Sequence, residues 1–262
     1  MITSAANSQI KNILALQTKS KIRNKQNAFI VEGLRIFCEI PDDRIVKIYF
    51  TESFYKSCDQ SVRERIDRNE HESVADNVFD RMSDTMTPQG ILAIVRKNDD
   101  TIETILGNKS DKNNLYMILE DIQDPGNLGT ILRTSEAAGV SAVIMSRGTV
   151  DIYNPKVVRS TMGTIFRVPF VYTDNLENTL LKLKENKVTL YAAHLGGKSF
   201  HYEEDLKKDV AFLIGNEGNG LSDKISSMAD VLIKIPMMGK VESLNAACAS
   251  TVLMYEFYRQ NH

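Results

Sequence analysis

The chain has 262 residues, 42% hydrophobic and 25% charged, which suits one large or two ordinary globular domains. Its 32 basic and 34 acidic residues leave a net charge of −2, so overall charge does not single out a nucleic-acid-binding protein. The scattered Cys38, Cys58 and Cys248 argue against a disulfide framework, and neither they nor the four histidines show metal-ligand spacing. The start lacks a signal-peptide layout and no apolar run approaches the ~20 residues of a membrane span, so we expect a cytoplasmic protein without a metal.

The basic residues concentrate at the N-terminal end of the chain. Before residue 36 the only acid is Glu32, and the cations are Lys11, Lys19, Lys21, Arg23, Lys25 and Arg35. Such a stretch is usually a solvated basic face, but it is also the electrostatic pattern of a surface that binds RNA or DNA. Both interpretations remain open on charge alone.

The first part of the chain alternates helices and strands. Apolar spacing predicts helices at residues 7–17, 34–40 and 52–68. Strands are predicted at residues 28–33, 45–50 and 90–97. A polar stretch with room for a short helix follows, and we place a domain boundary in it near residues 100–113.

The second part alternates more regularly. Near-continuous apolar runs predict strands at residues 115–120, 141–146, 167–172, 188–193, 210–215 and 231–236. Helices are predicted at residues 124–139, 155–165, 175–187, 221–229 and 243–260. Continuous apolar strands separated by helices are typical of an α/β domain with a mostly parallel sheet.

Residues 124–139, DPGNLGTILRTSEAAG, follow the first of these strands, where ligands bind in open parallel sheets. The segment is similar to a phosphate-binding loop that opens a helix capped by Asn127, yet it contains no lysine. Arg133 shares a helix face with Gly129 and Glu136. Two interpretations stay open. Arg133 and Glu136 form an exposed ion pair, or Gly129 keeps the face free of side chains so that a ligand or a second chain reaches Arg133.

Two further strand ends carry polar loops. In FLIGNEGNG the glycine spacing is not that of a dinucleotide-binding loop, and Glu217 at its centre would repel a pyrophosphate. This loop is a tight turn with an exposed acid, or a loop whose bare backbone contacts a cationic or neutral ligand, or a site where Glu217 orients an arginine. The helix in residues 235–256 is apolar almost all round and is predicted to be buried. Ser243 is its candidate N-cap, and Asn245 in its first turn needs hydrogen-bond partners.

In order and spacing, DPGNLGTILRTSEAAG, FLIGNEGNGLS and IPMMGKVESLN resemble the three signature motifs of the SpoU (TrmH-like) RNA 2′-O-ribose methyltransferases. ITSAANSQIKNILAL and FIVEGLRIFCE resemble the substrate-binding domain of the two-domain members. The resemblance implies a parallel-sheet methyltransferase domain at 113–262, with a deep trefoil knot, that works as a homodimer. It also implies a smaller α/β RNA-binding domain at 1–105, like those of certain ribosomal proteins.

The resemblance further implies a cofactor and roles for individual residues. The cofactor is S-adenosylmethionine, held largely by the backbone of loops at Ala193, His194, Leu195, Gly196, Gly215, Ile235 and Leu244. The polar catalytic positions are Asn127, Arg133, Glu217, Ser243 and Asn245. The N-terminal cations become RNA contacts, and Arg159 and Arg167 are either phosphate contacts or solvated surface residues.

The implied reaction is methyl transfer to a ribose 2′-hydroxyl of RNA, with large-subunit rRNA favoured and tRNA as the alternative. A guanidinium keeps its proton near neutral pH, so we expect Arg133 to stabilise the developing alkoxide while Asn127 and Glu217 fix the arginine. One rival is a Rossmann-type NAD(P) enzyme, which the missing glycine fingerprint argues against. The other rival is a non-catalytic RNA-binding protein of the same ancestry, which the five intact polar positions argue against.

Overall fold

The computed structural model describes residues 1–108 and 112–262. The predicted domain boundary at 100–113 contains a short helix, Ile102–Gly107, while residues 109–111 lie outside the described residues. Among the residues that the structure describes, no helix combines the length and the apolar character needed to cross a membrane. The described residues form two compact units, each built from two stretches of sequence.

The first unit consists of Met1–Asn98 together with Asp151–Phe166. Its helices before residue 99 are α1 (Ser8–Thr18), α2 (Ser20–Gln26), α3 (Leu34–Phe37), α4 (Glu52–Ser57), α5 (Gln60–Arg68) and α6 (Asp76–Met82). Its strands are β1 (Ala28–Glu32), β2 (Ile45–Phe50), β3 (His71–Ser73) and β4 (Ile91–Arg96). They form one sheet in the order β1-β4-β2-β3, antiparallel except for the parallel pair of β2 and β3.

Helix α1 illustrates how the sequence pattern sets the packing of this unit. Asn7 caps the helix, because its side chain accepts a hydrogen bond from the backbone N–H of Gln9. Ile10, Ile13 and Leu16 are spaced for one helical face and are fully buried. They form a core with side chains from β1, β2 and β4. The predicted amphipathic helix at 7–17 is therefore confirmed.

The single helix predicted at 52–68 is wrong. The chain is extended at Cys58, and α4 and α5 form on either side of it. Asp59 stands at the N-cap of α5, a position that aspartate favours. Helices α2 and α6 and strand β3 are absent from the sequence prediction. Strand β3 is short and polar, and it is a strand because it pairs with β2.

The second unit consists of Asp99–Val150 together with Arg167–His262. Its strands are β5 (Leu115–Leu119), β6 (Ala142–Ser146), β7 (Phe170–Thr173), β8 (Thr189–Ala193), β9 (Ser199–Phe200), β10 (Val210–Ile214) and β11 (Val231–Lys234). They form one parallel sheet in the order β7-β6-β5-β10-β8-β11-β9. Every residue of β5 and β10 is buried, as expected for strands covered on both faces. The predicted α/β fold with a parallel sheet is confirmed.

The remaining helices are α7 (Ile102–Gly107), α8 (Pro125–Ala137), α9 (Pro155–Thr161), α10 (Leu176–Glu185), α11 (Asp223–Ser226) and α12 (Ala246–Asn261). All of them belong to the second unit except α9, which packs in the first. Just before α9, the ring of Tyr153 lies 4.7 Å from that of Phe29 in β1, measured between centroids. Asp151 accepts a hydrogen bond from buried Arg23 of α2 (2.6 Å). The position of α9 in sequence, between β6 and β7, therefore does not indicate where it packs.

Helix α12 buries only part of its surface. Leu253 and Phe257 are buried, whereas Cys248 is exposed and Tyr255 and Tyr258 are 47% and 41% exposed. The prediction that this helix is buried is therefore wrong for one of its faces. That face carries aromatic side chains beside one exposed cation, Arg259.

Candidate active site

Three loops follow the carboxyl ends of β5, β6 and β10, which are neighbours in the second sheet. The side-chain amide of Asn216, after β10, donates a hydrogen bond to the backbone carbonyl of Asp121, after β5 (2.8 Å). The side-chain amide of Gln123 donates to the same carbonyl (3.0 Å) and to that of Gly148, after β6 (2.6 Å). The three loops are thus joined at the edge where open parallel sheets bind ligands.

Glu217 is the hydrogen-bond acceptor at the centre of this edge. One carboxylate oxygen accepts from the backbone N–H of Asp124 (3.0 Å) and from the side-chain amide of Asn127 (2.9 Å). The other oxygen accepts from the backbone N–H of Gln123 (3.0 Å). Burial alone would raise the pKa of Glu217, but the hydrogen bonds from Asn127, Gln123 and Asp124 outweigh it and lower this pKa below its ordinary value of 4.5. The ionised carboxylate therefore fixes the start of α8.

Asn245 extends this arrangement to α12. Its side-chain amide donates to the side-chain oxygen of Asn127 (2.9 Å), and its own oxygen accepts from the backbone N–H of Ala247 (2.9 Å). Asn245 is therefore the N-cap of α12, and the expectation that Ser243 caps this helix is wrong. We call Glu217, Asn127 and Asn245 the Glu217 cluster. It joins the loop after β10 to the first residues of α8 and α12.

Helix α8 begins earlier than its predicted cap. Its N-cap is Asp124, whose carboxylate accepts from the backbone N–H of Asn127 (2.8 Å), and Pro125 follows as the first helical residue. Asn127 is therefore not the cap, and its side chain serves the Glu217 cluster instead. Asp124 and Gln123 are site residues that the sequence analysis missed. An Asp-Pro pair is a helix-start signal that could have identified Asp124, whereas no pattern signals Gln123.

Arg133 lies on the exposed side of α8. It makes no hydrogen bond or ion pair with the residues that the structure describes, so the structure does not bring it together with the Glu217 cluster. Glu136 accepts a hydrogen bond from Arg167 (3.1 Å), and the expected pair of Arg133 with Glu136 is wrong. Gly129 is buried in the second turn of α8, and the expectation that it keeps space open beside Arg133 stays a prediction.

Two loops at the same edge are held by close contacts of bare backbone. A Cβ atom on Gly215 would lie 2.1 Å from the backbone of Gly220, and Asn216 and Gly220 exchange backbone hydrogen bonds of 2.9 and 3.1 Å. A Cβ atom on Gly197 would lie 2.7 Å from the backbone carbon of Ile233. Only glycine fits at these two positions, so the loops after β8 and β10 cannot carry side chains there.

The positions predicted to hold S-adenosylmethionine lie at the carboxyl end of β8 or after β8, β10 and β11, which adjoin in the sheet. Leu195 and Leu244 are 70% and 38% exposed, and the other positions are half-buried or exposed, namely Ala193, His194, Gly196, Gly215 and Ile235. Residues 193–197, 215–220 and 235–239 contain one acid and no lysine or arginine. This composition fits a ligand that has no phosphate and carries a positive sulfonium. In the described part of the chain, no group of histidine, cysteine and acidic side chains is arranged to hold a metal ion.

The cations predicted to contact RNA are not equally available. Arg23 is only 3% exposed and binds Asp151, so it cannot contact a phosphate at the surface, and its place among the RNA contacts is corrected. Arg159 donates a hydrogen bond to Asp84 (2.7 Å), and Arg167 donates to Glu136 of α8 (3.1 Å). Six members of the predicted set are exposed, and one of them, Arg167, is already bound to Glu136; the six are Lys11, Lys19, Lys21, Lys25, Arg35 and Arg167.

Two protein-family models match the chain. The model described as the SpoU rRNA Methylase family matches residues 114–255. The model described as the MRM3-like substrate binding domain matches residues 7–93. The Glu217 cluster and Arg133 all lie within the first match.

Two relatives that match most of the chain are named as rRNA methyltransferases. The chain is 31% identical over 255 residues to the 23S rRNA (guanosine(2553)-2′-O)-methyltransferase RlmP of Bacillus subtilis, which is 97% of each chain. It is 35% identical over 204 residues to the 23S rRNA (guanosine-2′-O-)-methyltransferase RlmB of Bordetella pertussis, covering 75% of this chain and 80% of that one. The crystal structure of the SpoU methyltransferase AviRb from Streptomyces viridochromogenes in complex with the cofactor AdoMet matches with a TM-score of 0.87. The sequences are 25% identical, and the match covers 97% of this chain and 98% of AviRb.

Proposed function

The chain belongs to the SpoU rRNA methylase family, and on that premise we propose that it transfers a methyl group from S-adenosylmethionine to a ribose 2′-hydroxyl of RNA. The observation that carries the proposal is the Glu217 cluster at the carboxyl edge of the parallel sheet. It ties together three chain segments far apart in sequence, directly before the helix that carries Arg133. A plain turn after a strand requires no such network.

Methyl transfer to an alcohol is an in-line displacement at carbon, so oxygen, methyl carbon and sulfur must be aligned. We assign to Arg133 the stabilisation of negative charge that develops on the ribose oxygen, because a guanidinium keeps its proton near neutral pH. Glu217 and Asn127 fix the start of α8 and thereby the helix on which Arg133 stands. This replaces the expectation that they bond to the arginine itself.

The loops after β8, β10 and β11 are the proposed cofactor site, and the bound cofactor supplies the electrophilic methyl group. Backbone N–H and C=O groups at these positions can recognise an adenine edge without charged side chains. Ser243 and Leu244 belong to the same proposed site, since both are exposed and directly precede the cap residue Asn245.

The proposed substrate is large-subunit rRNA, because RlmP and RlmB are named as 23S rRNA methyltransferases, and tRNA is the alternative. We assign RNA binding to a domain at 1–105 and methyl transfer to a domain at 113–262, with support from the family matches at 7–93 and 114–255. We also propose that the protein is cytoplasmic, because ribosomal RNA is in the cytoplasm. The trefoil knot implied for the second domain stays part of this proposal.

A homodimer through the carboxyl-terminal domain is also proposed. The exposed face of α12, with Cys248, Tyr255 and Tyr258, supports it, since tyrosines and arginine are enriched where one protein contacts another, and Arg259 lies on the same face. Sedimentation equilibrium should give a dimer that Tyr255→Glu shifts toward monomer. Leu181→Glu, at a 50% exposed leucine of α10, is the matched control and should leave the dimer intact. A monomer, or a dimer indifferent to Tyr255→Glu, contradicts this part of the proposal.

Mapping of ribose methylation in total RNA, with and without the gene, tests activity and substrate together. We expect one 2′-O-methylated position to disappear from 23S rRNA and to return when the unmodified gene is restored. The Arg133→Ala gene should not restore it. A position lost from tRNA establishes the alternative substrate. If no position is lost and the purified protein transfers no methyl group to rRNA, the proposal is refuted.

A further inference from the structure

The first unit contains a cavity of about 310 Å³ that none of the proposed catalytic or cofactor residues line. It lies among the carboxyl end of β1, the start of α3, the segment 85–89 and the carboxyl end of α9. Two lining residues, Arg159 and Met162, come from the stretch that lies in sequence between β6 and β7. The cavity is therefore not formed by residues 7–93 alone, the range that matches a substrate-binding family model.

One wall of this cavity is fixed by Glu32. Its side chain is only 8% exposed, and its carboxylate accepts from the hydroxyl of Thr85 (2.8 Å), the backbone N–H of Asp84 (3.0 Å) and the hydroxyl of Ser83. A buried carboxylate with three donors holds its loop in one arrangement. The wall is therefore already organised before any ligand binds.

A second wall is formed around Gln89. Its side-chain oxygen accepts from the backbone N–H of Leu34 (2.8 Å). Gly33 adopts a φ of +100°, and a Cβ atom there would lie 3.2 Å from the same oxygen. The oxygen of Gln89 is thus used within the protein. Its amide NH₂ group makes no hydrogen bond to any residue that the structure describes, so it remains available to donate to a ligand.

The rim carries an unpaired cation. Arg35 is exposed and forms no hydrogen bond or ion pair within the described chain, whereas Arg159 already donates to Asp84 (2.7 Å). Ile36 and Met162 add apolar surface. Met162 is the C-cap of α9 and has the left-handed backbone, with a φ of 53°, in which many helices end.

We propose that this cavity binds a single unstacked nucleotide of the RNA substrate, with the base inside and a neighbouring phosphate on Arg35. An apolar wall beside fixed amide and hydroxyl groups matches a nucleobase, which has a flat apolar face and a polar edge. The unpaired guanidinium matches a phosphate. The volume is at the lower end of the roughly 300–1,000 Å³ of small-ligand pockets, which suits one base and not a duplex. The inference rests on the proposed function in taking RNA as the substrate.

Binding of short RNA strands to the full chain tests this assignment. The probes are fluorescein-labelled single strands of rA, rC and rU, each about ten nucleotides long, and the rA·rU duplex of the same length. We expect the single strands to bind more tightly than the duplex. Arg35→Gln is expected to weaken binding of all three strands by roughly tenfold and to reduce the slope of log affinity against log salt by about 0.7. Gln89→Glu keeps the acceptor for Leu34 but removes the amide donors, so it should change the ranking of the three bases.

Arg68→Gln is the matched control, because Arg68 is an exposed arginine of α5 in the same unit and does not line the cavity. It should bind every probe as the unmodified chain does. The assignment is overturned if Arg35→Gln and Gln89→Glu behave like this control, or if the duplex binds as tightly as the single strands. Binding of the mononucleotides AMP, CMP and UMP as tightly as the single strands would also overturn it, in favour of a small-molecule site.

The two proposals fail in distinguishable ways, because methyl transfer is not part of this readout. A chain that shows the expected strand binding but methylates no RNA refutes the proposed function and leaves the cavity assignment standing. A chain that methylates RNA while both variants bind like the control refutes only the cavity assignment.

Discussion

Each of the two units contains a glutamate that fixes a loop and an arginine without a partner among the described residues, but the two glutamates differ in burial. In the first unit Glu32 is 8% exposed and binds one short segment, residues 83–85. In the second unit Glu217 is exposed and binds the start of α8, which is linked through Asn127 to Asn245.

The difference separates residues that stabilise the fold from residues that arrange a site. Removal of a buried charged acceptor leaves its donors unpaired, so Glu32 is expected to contribute to folding. Glu217 is closer to water, contributes less to folding and determines where two helices begin. The two arginines, Arg35 and Arg133, form no hydrogen bond or ion pair with the described residues. Their substitution therefore tests binding and catalysis without disturbing the fold.

The largest effect is expected for Arg133→Ala. Loss of a group that stabilises the developing charge should lower the rate of methyl transfer by about 10²–10³-fold. Binding of S-adenosylmethionine should remain unchanged, because Arg133 lies outside the loops after β8, β10 and β11. Transfer from labelled S-adenosylmethionine to rRNA measures the rate, and isothermal titration measures cofactor binding.

Arg133→Lys separates charge from shape at the same position. A lysine keeps the charge but not the planar fork of donors, so we expect an intermediate rate. Lys182→Ala, at an exposed cation of α10, is the control and should transfer at the unmodified rate. Near-normal transfer by Arg133→Ala would show that Arg133 has no role in the reaction. The proposed difference between Arg133 in catalysis and Arg35 in binding would then be wrong.

The second effect concerns stability. Glu32→Ala should lower the free energy of unfolding by about 2–3 kcal/mol, since three donors around a buried carboxylate lose their acceptor. Urea unfolding followed by circular dichroism measures this change. Glu64→Ala, at an exposed acid of α5 that accepts from Gln60, is the control and should change stability by less than about 0.5 kcal/mol. Equal effects of the two substitutions would contradict the structural role of Glu32.

The third effect distinguishes capping from site assembly at Asn245. Asn245→Asp keeps the oxygen that caps α12 but removes the amide that donates to Asn127. We therefore expect stability to be retained and methyl transfer to fall by about tenfold, the equivalent of one hydrogen bond. Asn175→Ala, which removes the cap of α10, is the converse control and should lose about 1 kcal/mol of stability with no loss of rate. If Asn245→Asp transfers normally, the bond to Asn127 has no role in the reaction.

The parallel sheet could be predicted because its central strands are continuous apolar runs. The predicted strands at 115–120 and 210–215 agree with β5 and β10 to within one residue. Strand β3 could not be predicted, since His71–Ser73 has no apolar pattern of its own and depends on β2. The packing of α9 in the first unit could not be predicted either. It depends on contacts such as Tyr153 with Phe29, which no local pattern encodes.

The candidate site was predictable in its residues but not in its connections. The resemblance to known motifs singles out Asn127, Glu217 and Asn245, and the structure brings these three together. The bonds among them join positions at least 90 residues apart, so neither spacing nor periodicity could specify them. One of the two interpretations that local reasoning left open, an ion pair of Arg133 with Glu136, is also wrong. Glu136 lies one helical turn away, yet a more distant arginine, Arg167, occupies it.

The smallest effect is a dependence of stability on pH that comes from Glu217. Its pKa in the folded chain is lowered below the ordinary value of 4.5, because hydrogen bonds from Asn127, Gln123 and Asp124 outweigh the opposite effect of burial. A lowered folded-state pKa stabilises the fold above the unfolded-state pKa, and this contribution is lost as pH falls through the folded-state value. We expect a contribution below about 1 kcal/mol, since the side chain is exposed and its charge is screened by water.

Comparison with Glu217→Gln isolates that contribution, since the variant keeps the shape of the side chain but cannot titrate. Urea midpoints of the two proteins should differ at neutral pH and converge as pH falls through the lowered folded-state pKa of Glu217. Glu242→Gln, at an exposed acid of the loop before α12, controls for the loss of one charge and should show no such convergence. A difference that stays constant with pH would mean that shape and not charge holds the start of α8. In that case Glu217 and Glu32 would differ in more than burial, because the negative charge of Glu217 would not contribute to holding its loop.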